Sequence, residues 1–205
     1  MKDTARMPAD TPLAASPFKQ FQAWMAEAET AEVNDPNAMI LATVGADGQP
    51  SARAVLLKGM DERGFVFYTN KESRKGEDLA SNPRVCLLFY WKSLHRQIRI
   101  EGGVEDVTDA EADAYYASRP RISRLGAWAS QQSRPLAERG ILEERLAEAE
   151  RRFPEDQIPR PAYWSGYRVM PTRFEFWQDM PFRLHDRTIY QRDAGGIWLQ
   201  TKLFP

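Results

Sequence analysis

The antiparallel character of this chain is written in AMILATVGADGQPSARAVLLKG, residues 38–59. Two apolar, β-rich runs flank Asp47-Gly48, and an Asp-Gly pair between such runs signals a hairpin. Side chains alternate faces along a strand. On the second arm Arg53, Val55 and Leu57 therefore share one face, and Ala54, Leu56 and Lys58 the other. Each end of an apolar strand thus carries a cation, although a lysine snorkelling at a strand end is common.

Before the hairpin, Ser16-Pro17 reads as an N-cap with proline at the first helical position. Phe18, Phe21, Trp24 and Met25 follow at helical spacing, which predicts an amphipathic helix over 17–32. After the hairpin come a strand in FVFYTN, a short helix in SRKGEDLASNP, and strands in RVCLLFYW and RQIRIEGGVEDV. Thr108 and Glu111 form a capping box opening a helix that Pro120 closes, and PLAERGILEERLAEAERRF predicts a longer one. The end of the chain reads as four strands: YWSGYRVMP, TRFEFWQ, FRLHDRTIYQR and GIWLQTKLF. The order helix, strands, helices, strands predicts an α+β fold whose antiparallel sheet closes into a barrel with helices packed around it. A polar arm is expected over residues 1–15 and one domain over 16–205.

Formal net charge is -1, so no global excess points to nucleic acid or membrane. A single cysteine, Cys86, excludes an intrachain disulfide and fits a reducing compartment. Within an apolar strand it reads as core. No apolar run approaches the ~20 residues of a membrane span, and the first residues lack a signal-peptide apolar region. A cytoplasmic protein is the expectation. His95 and His185 have no partner ligands at metal spacing, and neither a GxGxxG nor a Walker loop is present.

Several stretches ask for an anion. Ser73 as N-cap puts Arg74 and Lys75 in the first helical turn, where the macrodipole disfavours cations. An external phosphate would resolve this, since helix N-termini bind phosphate; a solvated basic turn is the alternative. Tyr115 and Arg119 share a helical face, and Pro120 brings Ser123 round the corner, a cradle for a second phosphate or an ordinary helix end. Gln97, on a strand face with Arg99, could read a planar heterocycle or simply face solvent. In RLHDR, residues 183–187, a strand would align Arg183, His185 and Arg187 on one face with no acid among them.

These stretches, RAVLLKG, FYTNKESRKGEDL, NPRVCLLFYW, RQIRIEG, SRPRISRLGAW, QQS, FEFWQ and RLHDR, together and in this order resemble the pyridoxamine 5'-phosphate oxidase family over roughly residues 36 to 205. The resemblance implies a split β-barrel homodimer with FMN between the subunits. It implies FMN contacts from Arg53, Ala54, Val55, Leu56, Leu57, Lys58, Tyr68, Thr69, Arg74, Lys75, Gln97, Gln132, Ser133, Trp177 and Arg187. Arg53, Arg74 and Lys75 would hold the FMN phosphate. It implies that Lys58, Tyr115, Arg119 and Ser123 hold a substrate phosphate, with Arg183, Leu184 and His185 at the pyridine ring and Arg183 and His185 closest to the chemistry. The implied reaction oxidises pyridoxamine or pyridoxine 5'-phosphate with O2 and releases H2O2.

Two departures stand out. The N-terminal arm carries only Lys2 and Arg6 as cations, so no contact is carried over to it. The chain ends Lys202-Leu203-Phe204-Pro205, where the family commonly ends Arg-Leu-small-Pro, so altered packing is expected there. The rival readings are a sister flavin oxidase such as the phenazine-pathway enzymes, a non-catalytic flavin or pyridoxal-phosphate carrier, and a nucleic-acid binder. The second phosphate cradle argues against the first, and the missing positive charge against the last.

Overall fold

The computed structural model describes residues 15–205; the expected arm lies outside them but for Ala15. The elements run α1 (Pro17–Ala31), β1 (Ala38–Val44), β2 (Pro50–Leu56), β3 (Gly59–Asp61), β4 (Gly64–Asn70), α2 (Arg74–Ser81), β5 (Arg84–Trp91), β6 (Arg96–Asp106), α3 (Asp109–Ser118), α4 (Arg121–Ala129), α5 (Arg139–Arg152), β7 (Trp164–Gln178), β8 (Asp186–Arg192) and β9 (Trp198–Lys202). A one-turn 3-10 helix, Pro181–Arg183, precedes β8.

The Asp47-Gly48 hairpin forms as its residues require. Gly48 takes φ 79° in the turn, and β1 and β2 pair from Ala38↔Leu56 to Val44↔Pro50. All strands lie in one antiparallel sheet ordered β2-β1-β5-β6-β7-β4-β3, with β8 and β9 added through the second half of β7. The sheet curls until the end of β2 returns to β4, where Lys58 N–H donates to the Val66 carbonyl at 2.8 Å.

Alternation sorts the strands. Val85, Leu87, Phe89 and Trp91 of β5 point inward, as do Met39 and Leu41 of β1 and Ile98 and Ile100 of β6. Helix α1 lays Phe18, Phe21, Trp24 and Ala28 over this interior, and the Phe21 ring meets Phe65 and Phe89 edge-on at 4.8 and 5.0 Å. A second apolar cluster of Tyr116, Leu125, Ala149, Ile158 and Trp164 forms beneath α3, α4 and α5.

The outer face of the sheet is of two kinds. Ile40, Leu56 and Tyr90 leave it partly exposed and apolar on β1, β2 and β5. Beyond β5 it turns charged: Leu88 is opposite Arg99, and Arg99 opposite Glu175. In the next row Gln97, Trp177 and Arg187 stand side by side on β6, β7 and β8.

Five expectations need correction. YWSGYRVMP and TRFEFWQ are one strand, because Pro171 lies opposite Gly102 at a β-bulge where its missing N–H breaks no ladder. Pro120 does not only end α3; it also starts α4, which the sequence reading did not separate. Helix α5 begins at Arg139, not Pro135. Cys86 is half-buried on the outer face, and burial pushes its thiol up to about 11.

Most consequential is RLHDR. Phe182 and Arg183 take φ 60° and 63°, a left-handed pair that cannot continue a strand. Strand β8 therefore starts only at Asp186, and Arg183, His185 and Arg187 do not share a strand face. Nor do they lack acids, since His185 Nδ1 lies 2.9 Å from Asp179 and Arg187 Nη2 2.6 Å from Glu175. At the C-terminus the Phe204 side chain is exposed while its carbonyl accepts from Arg187.

Candidate functional site

A cavity of about 660 Å3 opens between the β2 edge, the end of β4, the start of α2 and the α3–α4 corner. Of the residues expected at the site it brings together Ala54, Val55, Leu56, Lys58, Tyr68, Thr69, Lys75, Tyr115, Arg119, Ser123 and Gln132.

One end is built on the first turn of α2. Ser73 is the N-cap residue, yet its hydroxyl donates to the Asn70 carbonyl at 2.6 Å instead of capping the helix. Helical N–H groups are thereby left without a side-chain partner. Lys75 folds back over this turn and donates to Ser73 Oγ at 3.0 Å and Gln132 Oε1 at 2.9 Å. Burial, with the repulsion of Arg53, lowers its ammonium to about 8. Arg53 lies just behind, bonded to Thr43 and Ser51 and 3.6 Å from Asp78. Arg74 and Lys75 both add like charge beside Arg53, Asp78 is the carboxylate next to them, and Glu77 of the same turn is taken by Arg134, so the site fits a phosphate.

The other end is aromatic and basic. Tyr68, Tyr115 and Trp164 stack nearly parallel, with Tyr68–Tyr115 centroids 4.0 Å apart and Tyr68–Trp164 5.5 Å. Gly166 makes this possible, because a Cβ there would meet Tyr68 Cδ1 at 2.6 Å. The Arg119 guanidinium lies 4.8 Å above the Trp164 ring. Its Nη1 is buried with no hydrogen-bond partner, and burial lowers its pKa. A buried donor left unpaired is costly, and an anion would satisfy it. Lys58 Nζ, 6.0 Å from the Tyr115 ring, is the second cation here.

Other expected residues stand apart. The Leu57 side chain belongs to the core, and its N–H and C=O are both taken by Asn37. Arg53, Arg74 and Ser133 flank the cavity without lining it. Gln97, Trp177 and Arg187 lie across the sheet on the outer face, and Arg183, Leu184 and His185 on the loop before β8. Trp177 packs against His185 at 4.7 Å. The sequence reading missed Trp164, Asn70 and Ser130, which line the cavity. An aromatic on a strand carries no signal that separates floor from core.

The chain is similar to several known proteins. A curated relative from Gluconobacter oxydans, named pyridoxine/pyridoxamine 5'-phosphate oxidase, is 62% identical over 193 residues, covering 94% of this chain and 96% of its own. One of the same name from Mesorhizobium japonicum is 54% identical over the full length of both chains. Among solved structures, PhzG from Burkholderia lata in complex with tetrahydrophenazine-1-carboxylic acid superimposes with a TM-score of 0.88 at 34% identity, covering 96% of this chain and 95% of that one. A family model described as the pyridoxine 5'-phosphate oxidase C-terminal dimerisation region matches residues 164–205. The model for the pyridoxamine 5'-phosphate oxidase family itself matches residues 25–152, and the chain belongs to that family.

Proposed function

We propose that this chain, one domain over residues 16–205, is an FMN-dependent oxidase that converts pyridoxamine 5'-phosphate and pyridoxine 5'-phosphate to pyridoxal 5'-phosphate. The observation that carries the reading is the pairing of two anion-seeking ends in one cavity: clustered Arg53, Arg74 and Lys75 at one, and the unpartnered Arg119 guanidinium over Trp164 at the other. The first would hold the FMN phosphate, with Gln132 and Thr69 beside it. The second, with Lys58, Tyr115 and Ser123, would hold the substrate phosphate. The high identity to enzymes of that name supports the assignment. The phenazine-linked neighbour shares the fold at lower identity, and a substrate without a phosphate has no use for the second cradle.

FMN, when bound, supplies the electron acceptor for oxidation at the substrate 4' carbon and returns the electrons to O2 as H2O2. Pyridoxine 5'-phosphate gives the aldehyde directly; the amine also consumes water and releases ammonia. The protein's task is orientation and electrostatics. Lys58 and Arg119 fix the phosphate and so the reach of the ring. Arg183 and His185 would face the pyridine, and Asp179 together with Trp177 holds the imidazole in place.

These last residues would come from a second copy. Tyr68 of the cavity pairs with Gly166 and Arg187 pairs with Trp177, and these two partners lie at opposite ends of the one long strand β7, roughly 35 Å apart at ~3.3 Å per residue. One flavin cannot bridge that distance within a chain. A homodimer with outer faces together would bring the Gln97–Trp177–Arg187 row to the partner's cavity, and the match to the dimerisation region supports this. Among the described residues no helix is long and apolar enough to cross a membrane, and the single thiol agrees with a cytoplasmic setting.

The test is peroxide release by the yellow, FMN-loaded protein. Each charge-assisted hydrogen bond is worth roughly 1.5–3 kcal/mol, so pyridoxine lacking the phosphate should be poorer by on the order of a hundredfold or more. Arg119→Ala should narrow that ratio of catalytic efficiencies. A wild-type ratio near one, or a large ratio unchanged in the variant, would send the phosphate elsewhere.

A further inference from the structure

The substrate-phosphate cradle proposed above draws on two distant segments, and two side chains outside the cavity bridge them: the exposed Arg63, 2.7 Å from Asp61 and 3.6 Å from Glu111, and the buried Arg168. Lys58 leads directly into β3, which ends at Asp61; Tyr115 follows Glu111 by one turn on α3, and Arg119 caps the C-terminal end of that helix. Arg168 of β7 is buried, 4% exposed. Its Nη1 donates to Asp61 Oδ1 at 3.2 Å and its Nη2 to Glu111 Oε1 at 2.7 Å. Glu105 Oε1 lies 3.8 Å from its Nε. Each prong of the guanidinium fork therefore holds one half of the cradle, a geometry that lysine cannot reproduce.

The two links are stiff on the far side as well. The Glu111 carboxylate also accepts the Thr108 N–H at 2.9 Å, closing the capping box of α3. Residues four apart lie on one helical face, so fixing Glu111 fixes the direction in which Tyr115 leaves the helix. The Glu111 carbonyl accepts the Tyr68 hydroxyl at 3.4 Å, and Tyr68 is the ring on which Tyr115 stacks. Asp61 is held in turn by Arg63, at 2.7 and 2.9 Å. On β7 itself, Trp164, Gly166 and Arg168 alternate onto one face. That face supports Arg119 with the first residue, makes room for Tyr68 with the second, and ties down both segments with the third.

We infer that Arg168 is a positioning residue for substrate specificity: it sets the spacing between Lys58 and the Tyr115–Arg119 pair, and so the enzyme's preference for a phosphorylated substrate. The inference rests on the proposed cradle, and its test separates the two. Arg168→Lys, Arg168→Met and Asp61→Asn are compared with wild type as FMN-loaded dimers. The readouts are KM and kcat for pyridoxine 5'-phosphate and for pyridoxine, binding of pyridoxal 5'-phosphate against pyridoxal, and the melting temperature.

The expected result is a rise in KM for the phosphorylated substrate on the order of tenfold in the Arg168 variants, with kcat changed by less than about twofold. The phosphate preference should fall in proportion, more in methionine than in lysine. Asp61→Asn, which alters a half-exposed carboxylate and spares the buried fork, should give a smaller shift of the same sign, and it carries the test if Arg168→Met fails to fold. Variants that melt lower but keep the wild-type phosphate preference would make Arg168 a structural ion pair only and overturn the inference. A wild type without phosphate preference would overturn the cradle beneath it.

Discussion

Lys75 has a titration that reports on its ligand. Its ammonium is lowered from 10.5 to about 8, chiefly by burial and further by Arg53. Between these two values the unfolded chain holds a proton that the folded chain has lost, so the group's contribution to stability rises with pH across that window. A bound phosphate reverses the preference by favouring the charged lysine. FMN affinity should therefore fall as pH rises above 8, by at most about tenfold per pH unit for one proton. Fluorescence-quench titrations between pH 7 and 9.5 would measure it, and Lys75→Met should bind more weakly with a flat profile. An unchanged wild-type affinity across that range would remove Lys75 from the phosphate. Cations at the wrong end of a helix were readable in the sequence because the macrodipole argument is local. The acids opposite His185 and Arg187 were not, because Asp179 and Glu175 sit six and twelve residues upstream and meet them only across a bend and a strand pair.

Helix α2 depends on the lack of a side chain at one position. A Cβ on Gly76 would stand 1.9 Å from the Lys71 carbonyl oxygen and 2.5 Å from its carbon. Both are main-chain atoms, so neither can swing aside, and the first turn of α2 would have to move. Gly76→Ala should cost about 1–3 kcal/mol, the usual range for overpacking, and lower the melting temperature by several degrees. Because the same turn carries Arg74 and Lys75, FMN affinity should drop with it; calorimetry and flavin retention on gel filtration would report the two effects. An alanine variant that melts and binds FMN as wild type does would mean that the loop ahead of α2 yields freely. Elements whose signals are local were legible: the Asp47-Gly48 turn, the Thr108–Glu111 capping box, the alternation of β5. Those fixed by neighbours were not. Pro171 reads as a strand breaker until β6 supplies the bulge opposite it, and the bend at Phe182–Arg183 has no glycine to announce it.

On the proposed reading, the Lys58–Arg119 cavity and the Gln97–Trp177–Arg187 row are two half-sites on different parts of the molecule. The barrel and its helices were predictable from element order, and the relationship between the half-sites was not, since nothing in a linear pattern distinguishes a residue's own cavity from its partner's. At micromolar concentration the protein should sediment at about twice the mass of the 23.5 kDa chain, and an active, FMN-loaded monomer would contradict the shared site. Separation of the Gln97–Trp177–Arg187 row from the Lys58–Arg119 cavity has a genetic corollary. A chain carrying Arg119→Ala is damaged only in its cavity, and a chain carrying Arg187→Ala only in its wall. Each homodimer of either variant has two crippled sites. In a hybrid of the two, one site collects both lesions and the other collects none. Random exchange of subunits should thus revive about a quarter of the sites, and two alleles that each fail alone should complement one another in the same cell.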